Sequence, residues 1–133
     1  MKYFLDTNII IYAIKNSYPS IINHFMNIPS YSIVIPSIVV SEIEYGARKS
    51  INYTKTINLY NSFISNFEII DFDYNAAVQY GIIRSQLEKS GKLIGPNDML
   101  ISSIVLSEGG TLITHNTKEF NRIQNLKIED WTL

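Results

Sequence analysis

Apolar positions along the chain change their spacing several times, and each change predicts an element boundary. Residues 2–5 form a short apolar run suited to a buried strand, after which Asp6 or Thr7 can cap a helix reaching about Lys15. Ser17-Tyr18-Pro19-Ser20 breaks the pattern, and a second short helix is predicted over 20–27. Residues 31–35 read as a strand stopped by Pro36, with Ser37 capping a helix that carries Ile38, Val39, Glu42, Ile43 and Tyr45. The stretch EYGARKS closes that helix, and Asn52 to Asn66 predicts another with Ile57, Tyr60, Phe63 and Ile64 on its apolar side. FEIIDF (67–72) reads as a third buried strand. A long helix follows from about Asp73 to Ser90, ended by Gly91. The next helix opens at Pro96 and stops at Gly109-Gly110. TLIT (111–114) is a fourth strand, and LKIED adds a fifth at an edge.

Strands alternating with helices, without repeats or linkers, predict a single three-layer α/β domain over residues 1–133 with a mostly parallel sheet of four to five strands. Such sheets place their sites at the carboxyl ends of the strands. Asp6 follows the first strand directly, Thr114 and Asn116 follow the fourth, and the helix bearing Glu42 starts just after the second. Asp98 lies in the first turn of a helix whose entry loop can reach the same rim.

Each acidic position also has a structural reading. Asp6 is a good helix cap, and Asp98 suits the positive end of a helix dipole. Glu42 is harder to assign to the surface, because it borders the stripe formed by Val39 and Ile43. Three carboxylates on one rim repel one another unless a cation neutralises them. With no cysteine and only His24 and His115 among the histidines, thiolate and histidine-rich metal sites are excluded. A hard divalent ion such as Mg²⁺, which takes oxygen ligands and is held by one or two carboxylates, fits the residues available. That combination points to phosphodiester chemistry.

The formal net charge of −1 offers no global attraction for nucleic acid, so any RNA contact needs a local basic patch or a bridging cation. No apolar run approaches membrane-spanning length, and Asp6 and Asn8 interrupt any signal-like start, so a cytoplasmic protein without membrane contact is expected.

FLDTNI, SEIEYGARKS (41–50), KLIGPNDMLISSIVL (92–106) and LITHNTKEFNRIQNLKIEDW (112–131) occur in the order and spacing of one family. Over nearly its whole length the chain resembles the PIN-domain ribonuclease toxins of the VapC type. The resemblance implies a metal-dependent endoribonuclease that is neutralised by a VapB-type antitoxin and forms a homodimer, which assembles further with that antitoxin. It implies Asp6 and Asp98 as the principal Mg²⁺ ligands, with Mn²⁺ able to substitute, and Glu42 completing the acidic pocket. The fourth acidic position falls at Asn116, which leaves that role open to Glu119 three residues later. Thr7, Asn8 and Thr114 are expected to support the site. Arg48, Lys49, Arg84 and Lys92 are the RNA-contact candidates, with Arg84 also readable as part of a solvated helix face. The branch carrying GPND and THNTKEF implies initiator tRNA, cut in the anticodon region, as the leading substrate, with mRNA or rRNA as alternatives. An aspartyl-phosphate phosphatase is a rival enzyme class, although Asn8 stands where its second acid belongs.

Overall fold

The computed structural model describes all residues from Met1 to Leu133. Five strands form one sheet, β1 (Tyr3–Leu5), β2 (Ile33–Pro36), β3 (Glu68–Ile70), β4 (Thr111–Ile113) and β5 (Lys127–Glu129), in the order β3-β2-β1-β4-β5. Every pairing is parallel, with Phe4 opposite Val34 on one side and Leu112 on the other. The expected mostly parallel sheet is therefore wholly parallel, and β5 is an edge as predicted. Seven helices connect and flank the strands: α1 (Thr7–Ile14), α2 (Pro19–Asn27), α3 (Ser37–Arg48), α4 (Tyr53–Ile64), α5 (Tyr74–Ser90), α6 (Pro96–Glu108) and α7 (Thr117–Phe120). None is long and apolar enough to cross a membrane.

The chain winds outward from β1 to β2 and β3, then returns to lay β4 and β5 on the opposite side of β1. Crossovers of one hand running in both directions put helices on both faces of the sheet. The strand order reverses between β1 and β4, and that crevice is where an open parallel sheet receives its ligands. The core is built from the central strands and from α6, which is buried through Met99 and Ile101 to Val105 between α5 and the sheet. Serines in so apolar a setting need partners. Ser102 and Ser103 donate to the Asp98 and Met99 carbonyls at 2.8 and 2.6 Å.

Most boundaries follow the sequence. Asn52 and Asp73 cap α4 and α5 through their side chains, and Gly91 and Gly109 end α5 and α6 in the left-handed region. Three expectations are corrected. Ser37 does not cap α3; Pro36 occupies that position, and the Ser37 hydroxyl accepts the Phe72 N–H at 3.3 Å instead. The β3 strand is an exposed edge rather than buried, because Phe67 and Phe72, which make the segment look apolar, lie outside its three residues. Lys2 pairs with its exposed Glu68 at 3.1 Å. The third correction is the short helix α7, in a stretch where the sequence pattern predicts no element.

Gly110 has no freedom to carry a side chain: a Cβ there would collide with the fully buried Phe4 ring and lie 2.9 Å from the Lys2 carbonyl oxygen. Gly110→Ala should therefore lower stability by about 1–3 kcal/mol through overpacking. The check is a shifted urea midpoint at unchanged slope, and a midpoint matching the parent would show that Phe4 has room to move.

Candidate active site

Asp6 is the residue immediately after β1 and the cap of α1. It is only 7% exposed, so its carboxylate needs compensation. One oxygen accepts the Thr7 backbone N–H at 2.8 Å, and the other accepts the Thr114 hydroxyl at 2.8 Å. Thr114 follows β4, so this second bond spans the crevice at which the strand order reverses. Burial pushes the Asp6 carboxyl above its ordinary range, the bonds from Thr114 and Thr7 oppose that rise, and the charge of Glu42 adds to it.

Glu42 projects from α3 toward the same rim. Its Oε1 accepts the Thr7 hydroxyl at 2.6 Å, and its Oε2 accepts the Asn97 side-chain N–H at 3.4 Å. Thr7 thus touches two acids at once, through its main chain and through its hydroxyl. Asp98 lies in the first turn of α6, where burial first, then the charges of Asp6, Glu42 and Glu119, push its carboxyl up to about 6. These shifts bring Asp6, Glu42, Asp98 and Glu119 into one electrostatic cluster, although they come from four separate stretches of chain.

Asn116 plays a different part from the acids. Its backbone N–H donates to the Thr114 hydroxyl oxygen at 3.0 Å, and its side chain donates to Glu119 Oε2 at 3.2 Å. It therefore bonds Glu119, and Glu119 joins Asp6 and Glu42 as the third charge that raises Asp98. Asn8 is exposed on the first turn of α1. Asn97 escaped sequence reasoning, although its place beside Asp98 in GPND was a usable signal.

The basic candidates lie apart from this cluster. Arg48 bonds Glu44 at 3.2 Å and stacks its guanidinium 4.0 Å above the Tyr53 ring, while Lys49 sits 4.8 Å above Tyr45. Arg84 is engaged by Glu88 at 2.9 Å and by the Tyr80 hydroxyl at 3.1 Å. Lys92 is exposed between α5 and α6.

No three acidic or histidine side chains are drawn together into a closed metal cage. The open arrangement of carboxylates, with no cation bonded to them and the Asp98 carboxyl raised by burial and by its acidic neighbours, fits a hard divalent ion that keeps several of its waters. Beside Glu42 the rim opens into a cleft of 220 Å³ between α1, α3 and α4, floored by Ile11, Ile43 and Ala47.

A family model described as PIN domain matches residues 3–126. The Ribonuclease VapC2 of Rickettsia felis is 42% identical over 132 residues, covering 98% of each chain. The tRNA(fMet)-specific endonuclease VapC of Salmonella typhimurium is 38% identical over 131 residues, again 98% of each. Among solved structures, VapBC2 from Rickettsia felis bound to a promoter DNA fragment matches with a TM-score of 0.90 at 41% identity, covering 98% of this chain and 99% of that one. DNA-bound VapBC from Salmonella typhimurium matches with a TM-score of 0.92 at 38% identity, covering 98% of both chains.

The raised carboxyl of Asp98 makes stability depend on pH with a definite sign. A carboxyl whose folded pKa of about 6 exceeds its ordinary 3.8 binds more protons in the fold than in the unfolded chain. Its contribution is present at low pH and lost as pH rises from about 4 through about 6. Without metal, Asp98→Asn should therefore melt higher than the parent at pH 7.5, and the advantage should vanish near pH 4. Saturating Mg²⁺ should stabilise the parent more than the variant. Thermal melts at the two pH values check this, and an Asp98→Asn variant less stable than the parent at pH 7.5 would contradict the charge cluster.

Proposed function

The chain belongs to the PIN-domain family, and we propose that it is the toxin of a VapBC-type toxin–antitoxin pair, a divalent-metal-dependent endoribonuclease. The observation that carries this reading is the acidic cluster at the switch point, where Asp6 and Asp98 are both raised by burial first and then by neighbouring carboxylates, with no cationic side chain bonded to them. The names of the relatives from Rickettsia felis and Salmonella typhimurium, ribonuclease and tRNA endonuclease, support it across the full length of the chain. The solved VapBC complexes support a VapB-type antitoxin as partner. A homodimer acting on RNA in the cytoplasm completes the proposal.

Asp6 and Asp98 would hold Mg²⁺, with Glu42 and Glu119 facing it through water. When bound, the ion supplies Lewis acidity to the phosphodiester and makes water a competent nucleophile at neutral pH. The chain's own residues do the rest. Thr114 and Thr7 fix both oxygens of Asp6, so the carboxylate meets its ligand in one orientation. Thr7 likewise fixes Glu42 by one oxygen, leaving the other, loosely held by Asn97, to accept a hydrogen bond from the attacking water. Asn116 holds Glu119 at the fourth corner.

The Salmonella typhimurium relative, named as specific for tRNA(fMet), supports initiator tRNA as the substrate, with the anticodon region as the proposed cut site. The phosphatase alternative gains nothing from the geometry, since exposed Asn8 occupies its second acidic position.

Purified protein with Mg²⁺ should cut initiator tRNA, and chelator should abolish cleavage. Asp6→Ala and Asp98→Asn should each reduce the rate by roughly a hundredfold or more, beyond the loss typical of outer-shell partners, while remaining folded. RNA-end sequencing after brief induction without antitoxin identifies the substrate: cuts confined to one anticodon stem–loop support tRNA, and scattered ends move the assignment to mRNA. Full activity of Asp98→Asn at saturating metal would remove the proposed site.

A further inference from the structure

His115 sits between two residues of the acidic site, Thr114 and Asn116, yet its side chain turns away from the acids. Its ring lies 6.2 Å from Tyr12 and 6.3 Å from Tyr18, which themselves meet edge-on at 5.0 Å. His115 Nδ1 is 3.0 Å from Asp130 Oδ2 and 3.1 Å from the Thr132 hydroxyl oxygen. The Thr132 hydroxyl donates its proton to Asp130 Oδ1 at 2.7 Å. The carboxyl of Asp130 is held below its usual range: hydrogen bonds from Thr132 and His115 outweigh its burial. An ionised carboxylate and a hydroxyl whose proton is already committed can only accept. Both contacts therefore require the proton on Nδ1, which fixes the tautomer and leaves Nε2 without a partner.

An imidazole whose Nδ1–H is shared between a carboxylate and a hydroxyl oxygen, while its side chain remains 49% exposed, has the form of a recognition group. Its rigidity is already established before any ligand arrives. The locking residues stand on the same rim as the acids: His115 lies two residues beyond β4, and Asp130 directly follows β5. β5 is two strands from β1, which at the usual strand spacing sets Asp130 about 10 Å across the sheet from the end of β1, with His115 following the strand between them. That is the reach of a nucleotide neighbouring one whose phosphate lies at Asp6.

We infer that His115, braced by Asp130 and Thr132 and backed by Tyr12 and Tyr18, is the binding subsite for an unpaired nucleobase flanking the scissile phosphate. The ring offers a stacking face, as aromatic side chains do for single-stranded RNA. Nε2 offers one hydrogen-bonding edge, which discriminates among bases by their exocyclic groups. His115 is thus a specificity residue rather than a member of the metal site. The inference rests on the ribonuclease reading.

The test uses RNA hairpins with a randomised single-stranded loop and the full-length protein. His115→Ala should raise KM roughly tenfold, the scale of one lost base stack, with kcat nearly unchanged. His115→Phe keeps a stacking face without Nε2, so it should recover most of the KM while broadening the base preference beside the cut. Binding of the same hairpins in an Asp98→Asn background, without turnover, should weaken about tenfold on adding His115→Ala. Wild-type cleavage with unaltered KM and base preference in His115→Ala overturns the subsite alone. If wild type neither binds nor cuts RNA with Mg²⁺, the ribonuclease reading fails and the subsite with it.

Discussion

Burying the Asp6 carboxylate at the crevice between β1 and β4 is the constraint to which the surrounding structure answers. An isolated charge there would be expelled or protonated. It is retained because α1 begins at the next residue and offers a main-chain N–H, and because β4 brings Thr114 alongside from the far end of the sequence. The second of these bonds depends on strand order. Only a chain that winds outward from β1 and then returns to its other side can set the residues after β1 and β4 next to each other. The sheet topology and the acidic site are therefore one arrangement, and the hydrogen bond from Thr114 is where they meet.

A second consequence is that the site carries unrelieved repulsion. Asp98 is raised by three neighbouring carboxylates in addition to its burial. Threonine and asparagine side chains, Thr7, Asn97 and Asn116, supply hydrogen bonds without supplying positive charge. Had arginines taken those places, the carboxylates would be paired and unavailable to a cation. The basic residues instead pair on the outer faces of α3 and α5, where exposed ion pairs contribute little to stability. Neutral donors orient the acids while preserving the field that attracts a divalent ion.

The extent to which this was legible in the sequence differs from residue to residue for physical reasons. Periodicity and caps reveal α4, α5 and α6 because Asn52, Asp73, Pro96 and the two glycines act locally. Asp6 stands out because it follows the first strand at the carboxyl rim, Glu42 because a carboxylate borders an apolar helical stripe, and Asp98 because it lies in the first turn of a helix opened by Pro96. Ser37 misleads because its hydroxyl serves a residue 35 positions away, which no local rule contains. The edge position of β3 is likewise a property of strand order, not of FEIIDF itself. The bond between Asn116 and Glu119 depends on α7, a helix of four residues too short to show a period. His115 was legible only as one of two histidines; its role depends on Asp130 and Thr132, which β5 delivers from the end of the chain.

These placements divide the rim into two kinds of surface. Around Asp6 and Asp98 the groups are acidic, partly buried and incompletely neutralised, so they favour a cation and oppose a bare phosphate. Around His115 the groups are aromatic and partly exposed, and the ring is held at Nδ1 with Nε2 open. A polyanionic substrate gains little from the first surface until a cation is present, and the chain's net charge of −1 does not help it. Stacking on the second surface is indifferent to that charge, since every base has a π face. The two surfaces therefore separate holding the substrate from reacting with it: the aromatic edge can engage an unpaired base whether or not metal is bound, while the acidic crevice acts on the backbone only when it is. A protein whose acidic crevice opposes bare phosphate can in this way select among RNAs by their exposed bases rather than by their shared phosphates.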